Sequence, residues 1–160
     1  MKKIIAGFAI MLIVIVATVA ATRRTPAPSE LPNLALTPGA ADAQCTVEDI
    51  CPHLTFQRPP MSKALRTQVY ERYGMRSYCE QKLKSGSSVC EVDHLISVEL
   101  CGATKIENLW PESYLIRNGA HTKDLVENRL HKLVCQGKIT LGEAQQAEVS
   151  DWIAAYRQFR

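Results

Sequence analysis

Six cysteines most constrain what this chain can fold into. All of them follow an apolar N-terminal segment, and they stand at Cys45, Cys51, Cys79, Cys90, Cys101 and Cys135. An even number of cysteines behind such a segment is typical of an exported domain held together by disulfides. Many pairings are open, with free buried thiols as the alternative. The short loops favour Cys45 with Cys51 and Cys79 with Cys90, leaving Cys101 with Cys135. No Cys-x-x-Cys pair is present, so a tetrahedral zinc site built on such pairs is not expected.

The N-terminal segment, residues 1–21, predicts either a secretory signal peptide or a membrane anchor. It opens with Lys2 and Lys3 and continues through 18 uncharged residues, 4–21. That length reaches the lower end of a membrane span, which favours an anchor in the inner membrane. Small residues at 17–21 suit a peptidase instead, and Arg23 and Arg24 are disfavoured on the exported side of an anchor. On both readings the rest of the chain is exported, to the periplasm or the medium.

A proline-rich linker is predicted at residues 22–44 and one compact domain at residues 45–160. The linker has four prolines and no hydrophobic period. The formal net charge is +3, but residues 45–160 carry 15 Lys and Arg against 14 Asp and Glu. A nucleic-acid ligand would therefore have to be attracted by a local patch and not by a global field.

One stretch of the sequence contains side chains that are suited to catalysis and metal binding. Residues 91–102 contain Asp93 directly before His94, the Asn-Leu-Trp-Pro block begins at Asn108, and His121 follows. A carboxylate is a hard ligand for Mg²⁺-like cations, and an imidazole can take a proton from water near neutral pH. The apolar alternation after His94 and the Cys101-Gly102 pair predict a strand, a turn and a return, with Asp93 and His94 at the lip of a short hairpin.

This ordered pattern resembles the HNH-type nucleases of the ββα-metal fold, in their secreted branch. Residues 36–39 also resemble the lead-in of secreted members, which implies that the last part of the linker packs on the domain. The resemblance implies an α+β fold, with a short β-hairpin and a helix clasped around one divalent cation, Mg²⁺ or Mn²⁺, and with further flanking helices. It implies that His94 is the general base and that Asn108 orients its ring. Asp93 would bind the metal together with a helix residue, for which His121 and Glu127 are the candidates and Asp124 a further one.

The function that follows is an exported, metal-dependent endonuclease that hydrolyses phosphodiester bonds of DNA or RNA, with charge stabilisation from Arg117 or Lys123. The alternative is a nuclease-like binding module at the cell envelope that has lost turnover. No protein partner is implied, and membrane association would depend on residues 4–21 alone.

Three helices are predicted around this core. Ser62 caps one near 62–73, Thr122 caps a second that ends at Gly137, and a Thr140/Glu143 capping box starts a third. The third helix has an apolar face at Val149, Trp152, Ile153 and Tyr156. We expect that face to be core and without chemistry. Trp110 is also expected in the core, with stacking on a nucleic-acid base as the alternative.

Overall fold

The computed structural model describes residues 25–51 and 60–159; residues 1–24, 52–59 and Arg160 lie outside this part. The described residues form a small α+β domain with five α-helices and a two-stranded antiparallel hairpin, as the sequence predicted. The elements are α1 Val47–Ile50, α2 Lys63–Arg72, α3 Arg76–Cys79, β1 Cys90–His94, β2 Leu109–Ser113, α4 Ala120–Cys135 and α5 Leu141–Gln158.

The predicted signal peptide or anchor, residues 1–21, lies outside the described part of the chain. Within 25–51 and 60–159, no helix has both the length and the apolar character that a membrane span requires.

The hairpin places the chemistry-bearing stretch at the end of β1. Its register opposes Asp93 to Trp110 and His94 to Leu109. The predicted hairpin is confirmed, but its return strand begins at Leu109 and not directly after Cys101-Gly102. Residues 95–108 form a loop with two 3₁₀ turns instead. Only glycine fits at 102, because a Cβ there would lie 1.7 Å from the carbonyl oxygen of Ile96.

Helix α4 follows β2 and lies against α1, α5 and the 3₁₀ turn Val98–Leu100. It begins at Ala120, with Gly119 as its N-cap, so the predicted cap at Thr122 is wrong. The backbone N–H groups of Thr122 and Lys123 donate to the carbonyl of Gly119, so Thr122 already lies inside the first turn. The helix stops before Gly137, which has φ of +65°, as predicted.

The other two predicted helix starts are confirmed. Ser62 accepts a hydrogen bond from the backbone N–H of Leu65 at the start of α2. Thr140 and Glu143 form the capping box of α5. Trp110 and Trp152 are both fully buried, so their predicted place in the core is also confirmed.

The last part of the predicted linker packs on the domain. Thr37 is buried, and its hydroxyl donates to the carbonyl of Leu109 at 2.9 Å. The backbone N–H of Gly39 donates to the carbonyl of Glu107 at 3.0 Å. Ala41 forms an isolated antiparallel bridge with Gly102. This segment therefore holds the outer side of the loop that joins β1 to β2.

Three disulfides join distant parts of the described chain. Cys79–Cys90 pairs as predicted, but the other two predicted pairings are wrong. The observed bridges are Cys45–Cys101 and Cys51–Cys135. They tie the segment around α1 to the loop after β1 and to the end of α4, because those parts meet in the folded core. Three bridges are typical of an oxidising, exported environment.

Candidate active site

His94 ends β1 and lines an open cleft. Its ring Nε2 lies 2.9 Å from the hydroxyl oxygen of Thr104, and the residue is 4% exposed. The cleft has a volume of about 550 Å³ and is lined by Cys90, Glu91, Val92 and His94 of β1. Its other polar lining residues are Arg66, Lys82, Ser87, Ser88, Glu91 and Tyr114. An imidazole fixed by a hydroxyl at the wall of a partly basic cleft is suited to proton transfer.

Asn108 is fully buried and holds the loop that follows β1. Its Nδ2 donates to the carbonyls of Ile96, at 2.9 Å, and Ala103, at 3.1 Å. Its Oδ1 accepts from the backbone N–H groups of Ile96, at 2.9 Å, and Ala40, at 3.2 Å. All four hydrogen bonds therefore go to backbone groups. Asn108 shapes the loop that carries Thr104, and Thr104 contacts the His94 ring.

Asp93 points to the opposite side of β1 from His94 and meets helix α4 in the core. The Lys123 ammonium donates to Asp93 Oδ2 at 3.0 Å, to the carbonyl of His94 at 2.6 Å, and to Glu127 Oε1. All three side chains in this cluster are at most 2% exposed. Lys123 and Glu127 are one helical turn apart, so α4 presents both toward β1.

Two further buried carboxyl groups surround this cluster. Glu112 lies beside Asp93; burial, followed by the Asp93 charge, raises the pKa of Glu112 to about 10. Glu112 is therefore protonated at neutral pH. Burial also raises the pKa of Glu148 to about 8, although that carboxyl accepts the backbone N–H of Ser97 at 2.7 Å. Burial opposes the Lys123 charge, but the surrounding carboxylates outweigh it and hold the pKa of Lys123 well above its ordinary value.

The structure brings together some of the predicted site residues and separates others. Asp93 and Glu127 both contact Lys123, whereas His121 is exposed and its ring centroid lies 5.1 Å from that of Tyr114. Lys123 was predicted to stabilise charge on a substrate. That prediction is wrong, since its ammonium is buried and saturated by three acceptors.

The predicted metal ligands do not fit a divalent cation as the side chains stand. The place between Asp93 and Glu127 holds the Lys123 ammonium, which donates to both carboxylates, so a divalent ion could bind there only by displacing it. Among the described residues, the group with metal-ligand spacing is Cys51, His131 and Cys135. Two of those sulfurs form a disulfide, so they are not thiolate ligands in this state.

Sequence reasoning missed Thr104 as the partner of His94 and Lys123 as the partner of Asp93. The Lys123/Glu127 spacing of four residues is a signal for a helical ion pair, and it could have revealed half of the cluster. No local sequence feature predicts the role of Thr104, because its contact with His94 depends on the loop conformation that Asn108 stabilises.

Comparison with known proteins gives no matching family model, no matching curated protein and no matching solved structure. The resemblance to HNH-type nucleases therefore rests on the sequence pattern, and the site residues stay predictions.

Proposed function

We propose that this protein is an exported endonuclease that hydrolyses phosphodiester bonds of DNA or RNA, with His94 as the general base. The observation that carries the proposal is the position of the His94 ring. It is fixed by Thr104 at the wall of a cleft that Arg66 and Lys82 also line. The order β1, β2, α4 further supports it, because that is the order of elements the resemblance implies. The three disulfides support export.

The proposed chemistry uses the two nitrogens of one neutral ring. In the neutral imidazole one ring nitrogen carries the proton and the other carries the lone pair, and the tautomer decides which of them faces Thr104. The nitrogen with the lone pair takes a proton from water, and the water oxygen attacks phosphorus. The bond from phosphorus to the leaving oxygen breaks, and that oxygen takes a proton from solvent. Arg66 and Lys82 bind the phosphate charge along the cleft.

A divalent cation would neutralise charge on the phosphate in a nuclease of the resembled family. Asp93 and Glu127 are already paired with Lys123 here, so the proposed hydrolysis does not use a metal.

The test is a cleavage assay on plasmid DNA and on RNA with the oxidised full chain, in Mg²⁺, in Mn²⁺ and in chelator. His94→Gln keeps a polar side chain of similar reach but cannot act as this base, and we expect turnover to fall by roughly 10²–10⁴. Lys132→Ala, exposed on α4, is the control and should cleave at the rate of the unchanged chain. Absence of cleavage under every condition, or full activity in His94→Gln, would refute the proposal.

The cleft residues give a second test. Arg66→Ala and Lys82→Ala each remove one phosphate contact, so each should weaken substrate binding severalfold and make it less dependent on salt. Fluorescence anisotropy of labelled oligonucleotides at several salt concentrations measures both effects. Lys138→Ala, exposed beyond α4, is the matched control. Equal losses of binding affinity in all three variants would show that this cleft is not the binding surface.

A second candidate is a nuclease-like binding module without turnover, and the Lys123 ammonium between Asp93 and Glu127 favours it. It predicts oligonucleotide binding that depends on Arg66 and Lys82, with no cleavage in any condition. His94→Gln would then leave binding unchanged. Cleavage that depends on His94 would exclude this candidate.

A further inference from the structure

We propose that the Lys123 ammonium is the resident cation of this site: it stands between Asp93 and Glu127 in the place of a divalent ion, and it positions His94. The first half of this inference concerns cation binding alone. The second half rests on the proposed function, because it assigns a catalytic purpose to the position of His94.

The geometry of the ammonium is that of a filled site. A lysine ammonium has three N–H donors, and Lys123 has three acceptors: Asp93 Oδ2, the His94 carbonyl and Glu127 Oε1. The three acceptors come from two elements, the end of β1 and the first half of α4. One point charge therefore joins these elements where the predicted metal would join them.

Burial makes the ammonium difficult to displace. The Lys123 side chain is 1% exposed, and the side chains of Asp93 and Glu127 are each 2% exposed. Moving the ammonium out would leave two buried carboxylates without their cation, which is strongly unfavourable. A divalent ion would have to displace the ammonium and lose its own water shell to enter the same place. We therefore expect no divalent ion to bind there in the unchanged protein.

The same contacts fix the catalytic strand end. Lys123 holds the side chain of Asp93 and the carbonyl of His94, so it sets the backbone from which the His94 ring projects into the cleft. It does not reach the cleft itself, because all its donors are used in the core. Lys123 is thus a positioning residue, and the proposed hydrolysis should continue in chelator.

The decisive experiment asks whether a cation can replace the lysine. In the unchanged chain, Mn²⁺ and chelator should give the same melting temperature. Lys123→Ala opens space next to Asp93 and Glu127, so Mn²⁺ should bind and raise the melting temperature by roughly 4 °C or more. Lys123→Met removes the charge but keeps the volume filled, and it should show no Mn²⁺ shift. Adding Glu127→Gln to Lys123→Ala removes one ligand and should abolish the shift.

Activity supplies a separate readout. Lys123→Ala should cleave more slowly than the unchanged chain in chelator and should recover at least partly in Mn²⁺, whereas Lys123→Met should not recover. If the variants bind Mn²⁺ in this pattern but the protein never cleaves nucleic acid, the proposed nuclease activity is refuted. The inference that Lys123 is the resident cation is then still supported.

Two results would overturn the inference. One is a Mn²⁺-induced stabilisation of the unchanged chain that Glu127→Gln abolishes, since the place would then bind metal with Lys123 present. This measurement does not depend on whether Lys123→Ala folds. The other is a folded Lys123→Ala that gains no Mn²⁺ shift, since Lys123 would then not stand in a cation's place.

Discussion

Thr104 Oγ1 lies 2.9 Å from His94 Nε2, so a loop threonine, and not the predicted Asn108, contacts the ring of the proposed general base. The loop that carries Thr104 is held in turn by the four backbone hydrogen bonds of the Asn108 side chain. The buried Asn108 amide therefore holds the loop in place, and the loop places the exposed Thr104 hydroxyl against the His94 ring.

Removing this hydroxyl should impair turnover without impairing binding. Thr104→Val keeps the shape of the side chain but cannot hydrogen-bond the ring, and loss of one such bond predicts a fall in kcat of about tenfold. KM should stay unchanged, and the pH midpoint of kcat should move. Thr104→Ser restores the hydroxyl and should restore kcat. A Thr104→Val enzyme with unchanged kcat and pH profile would show that Thr104 does not position the ring.

Replacing Asn108 should destabilise the domain and not only the site. In Asn108→Asp a carboxylate oxygen replaces the amide donor and faces the carbonyl oxygens of Ile96 and Ala103. We expect a loss of about 3 kcal/mol in the free energy of unfolding at pH 7. The loss should be smaller near pH 4, where a protonated carboxyl can donate. Chemical denaturation at both pH values measures it.

The control for that change is Asn128→Asp. Asn128 is exposed on α4, and its amide donates to the backbone carbonyl of Asp124. Its replacement should cost well under half as much as that of Asn108. Equal costs for the two variants would contradict the structural role given to Asn108.

Glu112 should make stability fall as pH rises. Its pKa in the folded state is about 10, above the ordinary value of 4.5. A raised folded-state pKa gives a stabilising contribution that is complete below pH 4.5 and is lost progressively as the pH rises toward 10. Glu112→Gln cannot titrate and keeps an N–H donor toward Asp93. Its melting temperature relative to the unchanged chain should therefore rise by roughly 10 °C or more between pH 5 and pH 8.

Glu107→Gln, on the exposed 3₁₀ turn before β2, is the control and should give parallel curves. If the curve of Glu112→Gln also stays parallel to that of the unchanged chain, Glu112 is not a buried, protonated group.

The long-range disulfide Cys51–Cys135 and the short-range disulfide Cys79–Cys90 should differ in their contribution to stability. Cys51–Cys135 closes a separation of 84 residues and Cys79–Cys90 one of 11. Loop-closure entropy predicts stabilisation of about 4.5 kcal/mol for the first and about 3 kcal/mol for the second. The double variant Cys51→Ala/Cys135→Ala should therefore melt at a lower temperature than Cys79→Ala/Cys90→Ala. The reverse order, measured by thermal unfolding of both variants, would contradict the pairing or its entropic account.

The sequence alone determined the features that depend on neighbours along the chain. The Ser62 cap and the Thr140/Glu143 capping box each join residues three apart, so local spacing was enough to place α2 and α5. The Asp93-His94 pair was predicted at the lip of a short hairpin and lies at the end of β1, although the apolar alternation after His94 falls in the loop and not in a strand. The loop from Cys79 to Cys90 is short, so its disulfide could be predicted as well.

Only the tertiary structure decided which distant groups meet. Cys45 and Cys51 pair with Cys101 and Cys135 because the segment around α1 packs between the loop after β1 and the end of α4. Likewise, Asp93 meets Lys123 and His94 meets Thr104 because β1 projects successive side chains to opposite faces. One face meets α4 and the other meets the loop that Asn108 folds. The spacing of residues along the chain does not predict these contacts, because each contact depends on how separate elements pack together.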